Sequence, residues 1–370
     1  MTRLNVIDLF SGVGGLSLGA ARAGFNVAGS VELDPIASAS HELNFPEATH
    51  LREDVGSLSG PQLLKACGLE AGHLAGLIGG PPCQGFSLIG KRDAKDPRNL
   101  LFAHFFRLVA ETKPAFFVAE NVLGILRDEN APVVSSALAL LPKTYQVLQP
   151  IKVKASEYGA PTTRTRVFFI GFDPSRIDGL TESSFGPSSG TVDVRVKDAL
   201  RGLPDVDPDW QSERQSWRTV KALGPGLFED RVSGHVPPGV GNLLALQRAA
   251  RRKVSGFLGT RHSEDTIARF DALSPGEIDR IYRSPRLDPH GFCPTLRAGT
   301  NSDKGSFQAV RPIHPKKPRV ISPREAARLQ GFPDWFVFHP TKWHAFRQIG
   351  NSVSPIAAEH LLAKLHAATC

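Results

Sequence analysis

The chain has 370 residues, is 41% hydrophobic and carries a formal net charge of +8. That length allows about two domains and a sizeable core, and the lack of any run of eighteen apolar residues excludes a helical membrane span. The basic surplus favours a polyanionic partner; it recurs at Arg248, Arg251, Arg252, Lys253, Arg261 and from Lys304 to Arg319 rather than in a tail. Cys67, Cys83, Cys293 and Cys370 are dispersed, with no Cys-x-x-Cys pair and no zinc-like Cys/His spacing, so no metal site is expected. Four isolated thiols imply a reducing compartment. With no signal-peptide pattern at the start, a cytoplasmic bacterial protein is expected.

The elements alternate from the start. Residues 5–10 read as an apolar strand, 14–23 as a helix closed by Gly24 in the left-handed conformation, 26–33 as a second strand and 50–55 as a third. A fourth strand, 74–78, runs into Gly79-Gly80-Pro81-Pro82-Cys83-Gln84-Gly85-Phe86-Ser87. Residues 99–112 put Leu100, Leu101, Phe105, Leu108 and Val109 on one helical face and stop at Lys113-Pro114; 115–119 and 166–171 are further strands. This rhythm predicts an α/β fold of the doubly wound kind, a mostly parallel sheet with helices on both faces. It breaks after Phe172, where Gly, Pro, Ser, Asp and Arg dominate and a second, smaller, irregular domain is expected. The division predicted is 1–173, 174–340 and a returning segment 341–370. Helical patterning resumes at 323–330, with Ser322 as cap and Pro323 at the first helical position, and at 355–367. No internal repeat is present.

Three clusters carry chemistry. Phe10-Ser11-Gly12-Val13-Gly14-Gly15 lies between a strand and a helix, and Glu32 follows Gly12 by twenty residues, the spacing of a ribose-binding acid. Ser17 stands where a dinucleotide fingerprint has its third glycine, so a nucleoside cofactor without a pyrophosphate fits better, S-adenosylmethionine being the candidate. An ordinary tight turn explains the glycines equally; the distance to Glu32 favours the ligand. Cys83 sits on a stiff turn at a strand's carboxyl end, where open α/β sheets hold ligands. The competing reading is a structural cysteine, as for Cys67 and Cys293; a nucleophile would need its thiolate. Glu120 ends another strand and can activate a substrate. Arg164 and Arg166, two apart, point the same way on a strand, one to serve the substrate and the other to pair structurally. A thiol, an acid and a guanidinium pair suit covalent chemistry on a planar, electron-poor ring.

The ordered set of motifs resembles the cytosine-C5 DNA methyltransferase family of stand-alone bacterial or phage type. It comprises Asp8 to Gly15, Glu32-Leu33-Asp34, Asp54, Gly80 to Ser87, Glu120-Asn121-Val122, Gly159 to Arg166, Arg324 to Pro333 and Gln348 to Val353. The resemblance implies that Cys83 adds to C6 of a flipped cytosine, Glu120 engages N3 and the amino group, and Arg166, beside Arg164, holds O2. S-adenosylmethionine then supplies the methyl group to C5. It also implies a cofactor pocket made of Phe10 on the adenine, Ser11, Gly12, Gly14, Gly15 and Leu16 along the turn, and Glu32 on the ribose. Leu33 stands there in place of the usual aromatic; Asp54 on the adenine amine, Val55, Pro82, Leu100, Asn351, Ser352 and Val353 complete it. Gln84, Ser87 and Arg297 would contact double-stranded DNA, and residues 174–340 would be the target-recognition domain, reading bases in the major groove. A monomer is expected, with a cognate restriction endonuclease or defence system acting on the same site. Thr162, where the family has Gln, is a departure. Cys83 after the Pro-Pro step, where amine methyltransferases carry an aromatic, favours ring-carbon methylation. Two alternatives stand beside this reading: a tRNA cytosine methyltransferase, whose Cys-Phe-Thr signature is missing, and a silent DNA-binding relative, which the presence of both Cys83 and Glu120 disfavours.

Overall fold

The computed structural model describes residues 3–82, 99–208, 216–298 and 311–369. Five parallel strands follow the apolar runs: β1 (Asn5–Leu9), β2 (Asn26–Val31), β3 (Thr49–Leu51), β4 (Leu74–Gly79) and β5 (Phe116–Asn121). Three more, β6 (Gln146–Val147), β7 (Ile151–Lys154) and β8 (Thr165–Phe172), complete the sheet in the order β3-β2-β1-β4-β5-β8-β6, with β7 also on β8. β8 runs antiparallel to β5, β6 and β7. β6 and β7 therefore run in the same direction as the first five strands, and the mostly parallel expectation holds with β8 as the one reversed strand among those described.

The chain winds outward from β1 to β3 and returns to β4 on the other side of β1. That reversal opens a crevice at the carboxyl ends of β1 and β4, the place where doubly wound sheets bind ligands.

Alternate strand residues feed two apolar layers. Val6, Ile78, Val118, Phe168 and Ile170 pack with α1 (Gly15–Arg22) and the last helix; Ile7, Leu9, Leu77, Phe117 and Phe169 face the opposite layer. That second layer draws on α3 (Gly60–Ala66), α4 (Asn99–Thr112) and α5 (Ala131–Leu138), while α2 (Pro35–Asn44) follows β2. Phe102, Phe106, Phe117 and Phe169 meet edge to face at 5.0–5.4 Å, the favoured geometry of ring quadrupoles. Leu100, expected on the buried face of α4, is 59% exposed.

Between β8 and the C-terminal helices regular structure is sparse. α6 (Val196–Ala199), α7 (Leu227–Ser233), α8 (Leu243–Ala250) and α9 (Glu264–Asp271) are short, and β9 (Arg218–Thr219) pairs β10 (Lys253–Val254). Two small apolar clusters form here, Val206, Val220, Val254 and Phe257, and Phe270, Ile313 and Val320. Phe185, Val194 and Val196 instead join the layer beneath α1.

α10 (Pro323–Gln330) is buried on every side although it carries Arg324, Glu325 and Arg328. Ser322 accepts from Glu325 N and Glu325 accepts from Ser322 N, a reciprocal cap. Arg324 donates to the carbonyls of Ser255, Pro333 and Phe336, and Arg328 makes a two-pronged pair with Asp334 at 2.8 and 2.6 Å. Buried charge is tolerable only with such partners. α11 (Lys342–Asn351) and α12 (Pro355–Thr369) end the fold. No described helix is long and apolar enough to cross a bilayer.

Candidate active site

A cleft of about 420 Å³ lies over the crevice, a size suited to a nucleoside-like ligand. Its walls are the segments that follow β1, β2, β3, β4 and β5, closed by the end of α11 and Ser352-Val353.

One end is built around the glycine turn. Phe10 leaves β1 with φ of 57°, a conformation uncommon for a bulky residue and typical of sites where backbone strain is held for a purpose. Gly12 N and Asp34 N donate to the two oxygens of Glu32 at 2.9 and 2.8 Å. Burial pushes the Glu32 carboxyl above its ordinary range, opposed by those two amides and by Arg347. Asp34 in turn caps α2 and pairs with Arg347 at 2.9 Å. A Cβ on Gly15 would lie 2.0 Å from Ser352 Oγ. Only glycine lets the start of α1 touch the returning C-terminal segment, which Gln330 also holds by donating to the Ser352 carbonyl.

Phe10, Ser11, Gly12, Gly15, Leu16, Glu32, Leu33, Asp54, Val55, Pro82, Asn351, Ser352 and Val353 all line this cleft. Gly14 and Leu100 do not. Gly14, at φ 101°, packs where a Cβ would strike the Phe45 ring, so its demand is steric. Leu100 points to solvent one position from Leu101, which does line the cleft. The cleft fits S-adenosylmethionine on its own chemistry: a held carboxylate on one side, and the buried Asp8 Oδ1 and Ser11 Oγ, neither with a hydrogen-bond partner among the described residues, on the other.

The other end holds Glu120 and the arginine pair. Glu120 lies near the end of β5, opposite Phe168 in the antiparallel pairing with β8, and Arg166 stands two residues from Phe168 along that strand. Arg166 Nε lies 2.8 Å from Glu120 Oε1, both side chains largely buried. A Cβ on Gly80 would be 3.1 Å from Glu120 Oε2, and Asn121 Nδ2 donates to the Pro81 carbonyl. The acid and the guanidinium thus share a rim with Gly80-Pro81-Pro82. Cys83, Gln84 and Ser87 lie outside the described residues.

Arg164 also lines the cleft but donates to the carbonyls of Leu296 and Asn351 at 3.3 and 3.2 Å. Of the arginine pair, Arg166 meets the acid and Arg164 clasps main chain from two distant segments. Thr162, the departure from the family pattern, is buried and bridges Cys293. Burial pushes the Cys293 thiol up, and that of Cys67 to about 11; neither has the environment of a reactive thiol. Arg297 is exposed, its backbone against Gly350 at the end of α11.

The sequence reading passed over His344 and Arg347 and gave no role to Asp8 and Gln348, which stand at the start of two of its motifs; all four line the cleft. Asp8 had a signal, a charge inside an apolar strand. The other three lie on α11, whose apolar spacing Trp343, Phe346 and Ile349 was the clue to a helix.

A model of C-5 cytosine-specific DNA methylases matches residues 4–367. The Type II methyltransferase M.XorII of Xanthomonas oryzae pv. oryzae is 40% identical over 362 residues, 97% of this chain and 83% of that protein. M.DdeI of Desulfomicrobium norvegicum is 33% identical, covering 98% and 88%. The crystal structure of a candidate DNA modification methyltransferase encoded within an E. coli prophage aligns with a TM-score of 0.89 at 51% identity, over 99% of each chain. S. pombe Dnmt2, at 0.63 and 16% identity, shares the fold. Matched from β1 into α12, the chain belongs to the C-5 cytosine-specific DNA methylases, enzymes that transfer a methyl group from S-adenosylmethionine to C5 of cytosine in DNA.

Proposed function

We propose that this chain methylates C5 of a cytosine flipped out of a specific duplex site, with Cys83 as the covalent nucleophile. The observation that supports this best is the Glu120–Arg166 pair against Gly80-Pro81-Pro82, at one end of the cofactor cleft. Extrusion of the base costs a few kcal/mol, and the segment 174–340, with Arg297, Gln84 and Ser87, contacts the DNA. The Cys83 thiolate adds to C6 and the ring's C5=C6 electron pair moves to C5. Glu120 bonds N3 and Arg166 bonds O2, so charge developing on the ring meets fixed partners. Bound S-adenosylmethionine supplies the methyl group that C5 takes up. Loss of the C5 proton then restores the double bond and expels the Cys83 thiolate. Phe10, Glu32 and Asp54 hold the adenosyl part, and Asn351 to Val353 close the pocket. Arg164 acts by keeping Leu296 and Asn351 in place. The enzyme acts as a monomer beside an endonuclease that cuts the same site.

Tritium release from 5-tritiated cytosine in duplex DNA tests the reading. Release dependent on S-adenosylmethionine and abolished by Cys83→Ser is the expected result. Undiminished release by Cys83→Ser, or methylation of purified tRNA without duplex DNA, would overturn it.

A further inference from the structure

Behind the cofactor cleft runs a line of polar groups that the methyl-transfer chemistry does not use. Asp8, fully buried in β1, lines the cleft, and its Oδ1 has no hydrogen-bond partner among the described residues. Its Oδ2 accepts from Ser17 Oγ at 2.5 Å; Ser17 Oγ meets His41 Nε2 at 2.9 Å; and His41 Nδ1 meets His50 Nε2 at 2.9 Å. Four elements, β1, α1, α2 and β3, each contribute one group. Ser17 has one proton to give, and it goes to Asp8. His41 must then donate through Nε2, and His50 through its own Nε2 into His41 Nδ1. All three bonds point their protons toward the carboxylate.

We infer that Ser17, His41 and His50 form a positioning relay that sets the charge of Asp8, and that Asp8 receives the ammonium group of S-adenosylmethionine. The inference rests on the cofactor reading of the cleft. Burial raises Asp8 to about 7, opposed by the Ser17 hydrogen bond and reinforced by the negative Glu32 just after β2. Burial holds His41 well below its ordinary value, helped by His50, so His41 stays neutral and can bond through both ring nitrogens. His50 is also lowered by burial, against Glu42 and with Arg52. Arg347 faces Glu32 rather than Asp8. The sign is fixed by the charge: the ammonium wants the Asp8 anion, so cofactor affinity rises as pH climbs through about 7 and falls below it.

Calorimetric titration of the whole protein from about pH 5.5 to 8.5 tests this, with S-adenosylmethionine and with 5′-methylthioadenosine, which keeps the nucleoside and lacks the ammonium. S-adenosylmethionine should bind about tenfold more weakly per pH unit on the acid side. Ser17→Ala should move that limb up by about one pH unit, because a hydrogen bond to the anion is lost. Asp8→Asn should abolish the limb and cost at least about tenfold in affinity. Methylthioadenosine should show neither effect, and its binding reports that each variant is folded. An unmoved limb in Ser17→Ala overturns the relay. The same limb with methylthioadenosine also overturns it, by placing the titration at Glu32. Failure of both ligands to bind the natural chain removes the cofactor reading and the relay together.

Discussion

Glu120 and Arg166 are each other's partner before any substrate arrives, 2.8 Å apart in a largely buried rim. On the proposed mechanism, a base entering here would meet an acid and a guanidinium already oriented, with little reorganisation left to do. Glu120→Gln keeps the shape and removes the acid, so kcat should fall about 10²- to 10³-fold in the tritium-release assay, with KM for DNA little changed. A loss under about twofold would remove Glu120 from the chemistry. Arg164 belongs to a different class of residue. Arg164→Met should leave two buried carbonyls short of a donor and lower stability by about 2–4 kcal/mol, read as a shift in the denaturant midpoint. Loss of activity at full stability would instead place it at the substrate. The motif made Glu120 and both arginines visible, and the resemblance gave the substrate to Arg166, but the main-chain partners of Arg164 were not legible. Residues two apart on a strand look alike in one dimension, and only the positions of Leu296 and Asn351 separate them.

At the scale of elements, the glycine turn and α1 depend on what returns from the far end of the chain. Gly15→Ala would drive a methyl group into Ser352; overpacking of this kind costs about 1–3 kcal/mol. Because the cheapest relief is to push Ser352-Val353 away, S-adenosylmethionine affinity should fall more than stability does. Equal affinity in Gly15→Ala would show that the segment does not shape the cleft. α10 offers a second test. Arg328→Met strands Asp334 in the interior and should cost about 3–5 kcal/mol, while replacing both partners by apolar residues should recover much of it. If the double variant were no more stable than the single one, the pair would not be the source of the loss. β1, β2, β4 and β5 were legible as apolar runs, whereas β3, Thr49-His50-Leu51, has one apolar residue and lies earlier than the expected 50–55. β6 and β7 were not: they are two and four residues long, and Ile151-Lys152-Val153-Lys154 offers only two apolar positions. The direction of β8 is not a periodic property at all. It follows from the antiparallel pairing across the connection 155–164 out of β7, which sets Lys154 against Thr165.

For the whole molecule, the basic balance and the crevice at the sheet's reversal point belong to one design, a polyanion held against a site that buries a nucleoside cofactor. DNA affinity should fall linearly in log–log form with salt, with a slope of about −0.9 for each phosphate neutralised; a flat salt response would detach the positive charge from DNA binding. The claim on which everything turns is the covalent bond from Cys83. Bisulfite sequencing of DNA from cells expressing the chain identifies the methylated site, and a duplex carrying 5-fluorodeoxycytidine at that cytosine then traps the adduct, since the fluorine cannot leave as a proton does. The account predicts a denaturation-resistant protein–DNA complex with the natural chain and S-adenosylmethionine, and none with Cys83→Ser. No complex with the natural chain, or an undiminished one with Cys83→Ser, would contradict it.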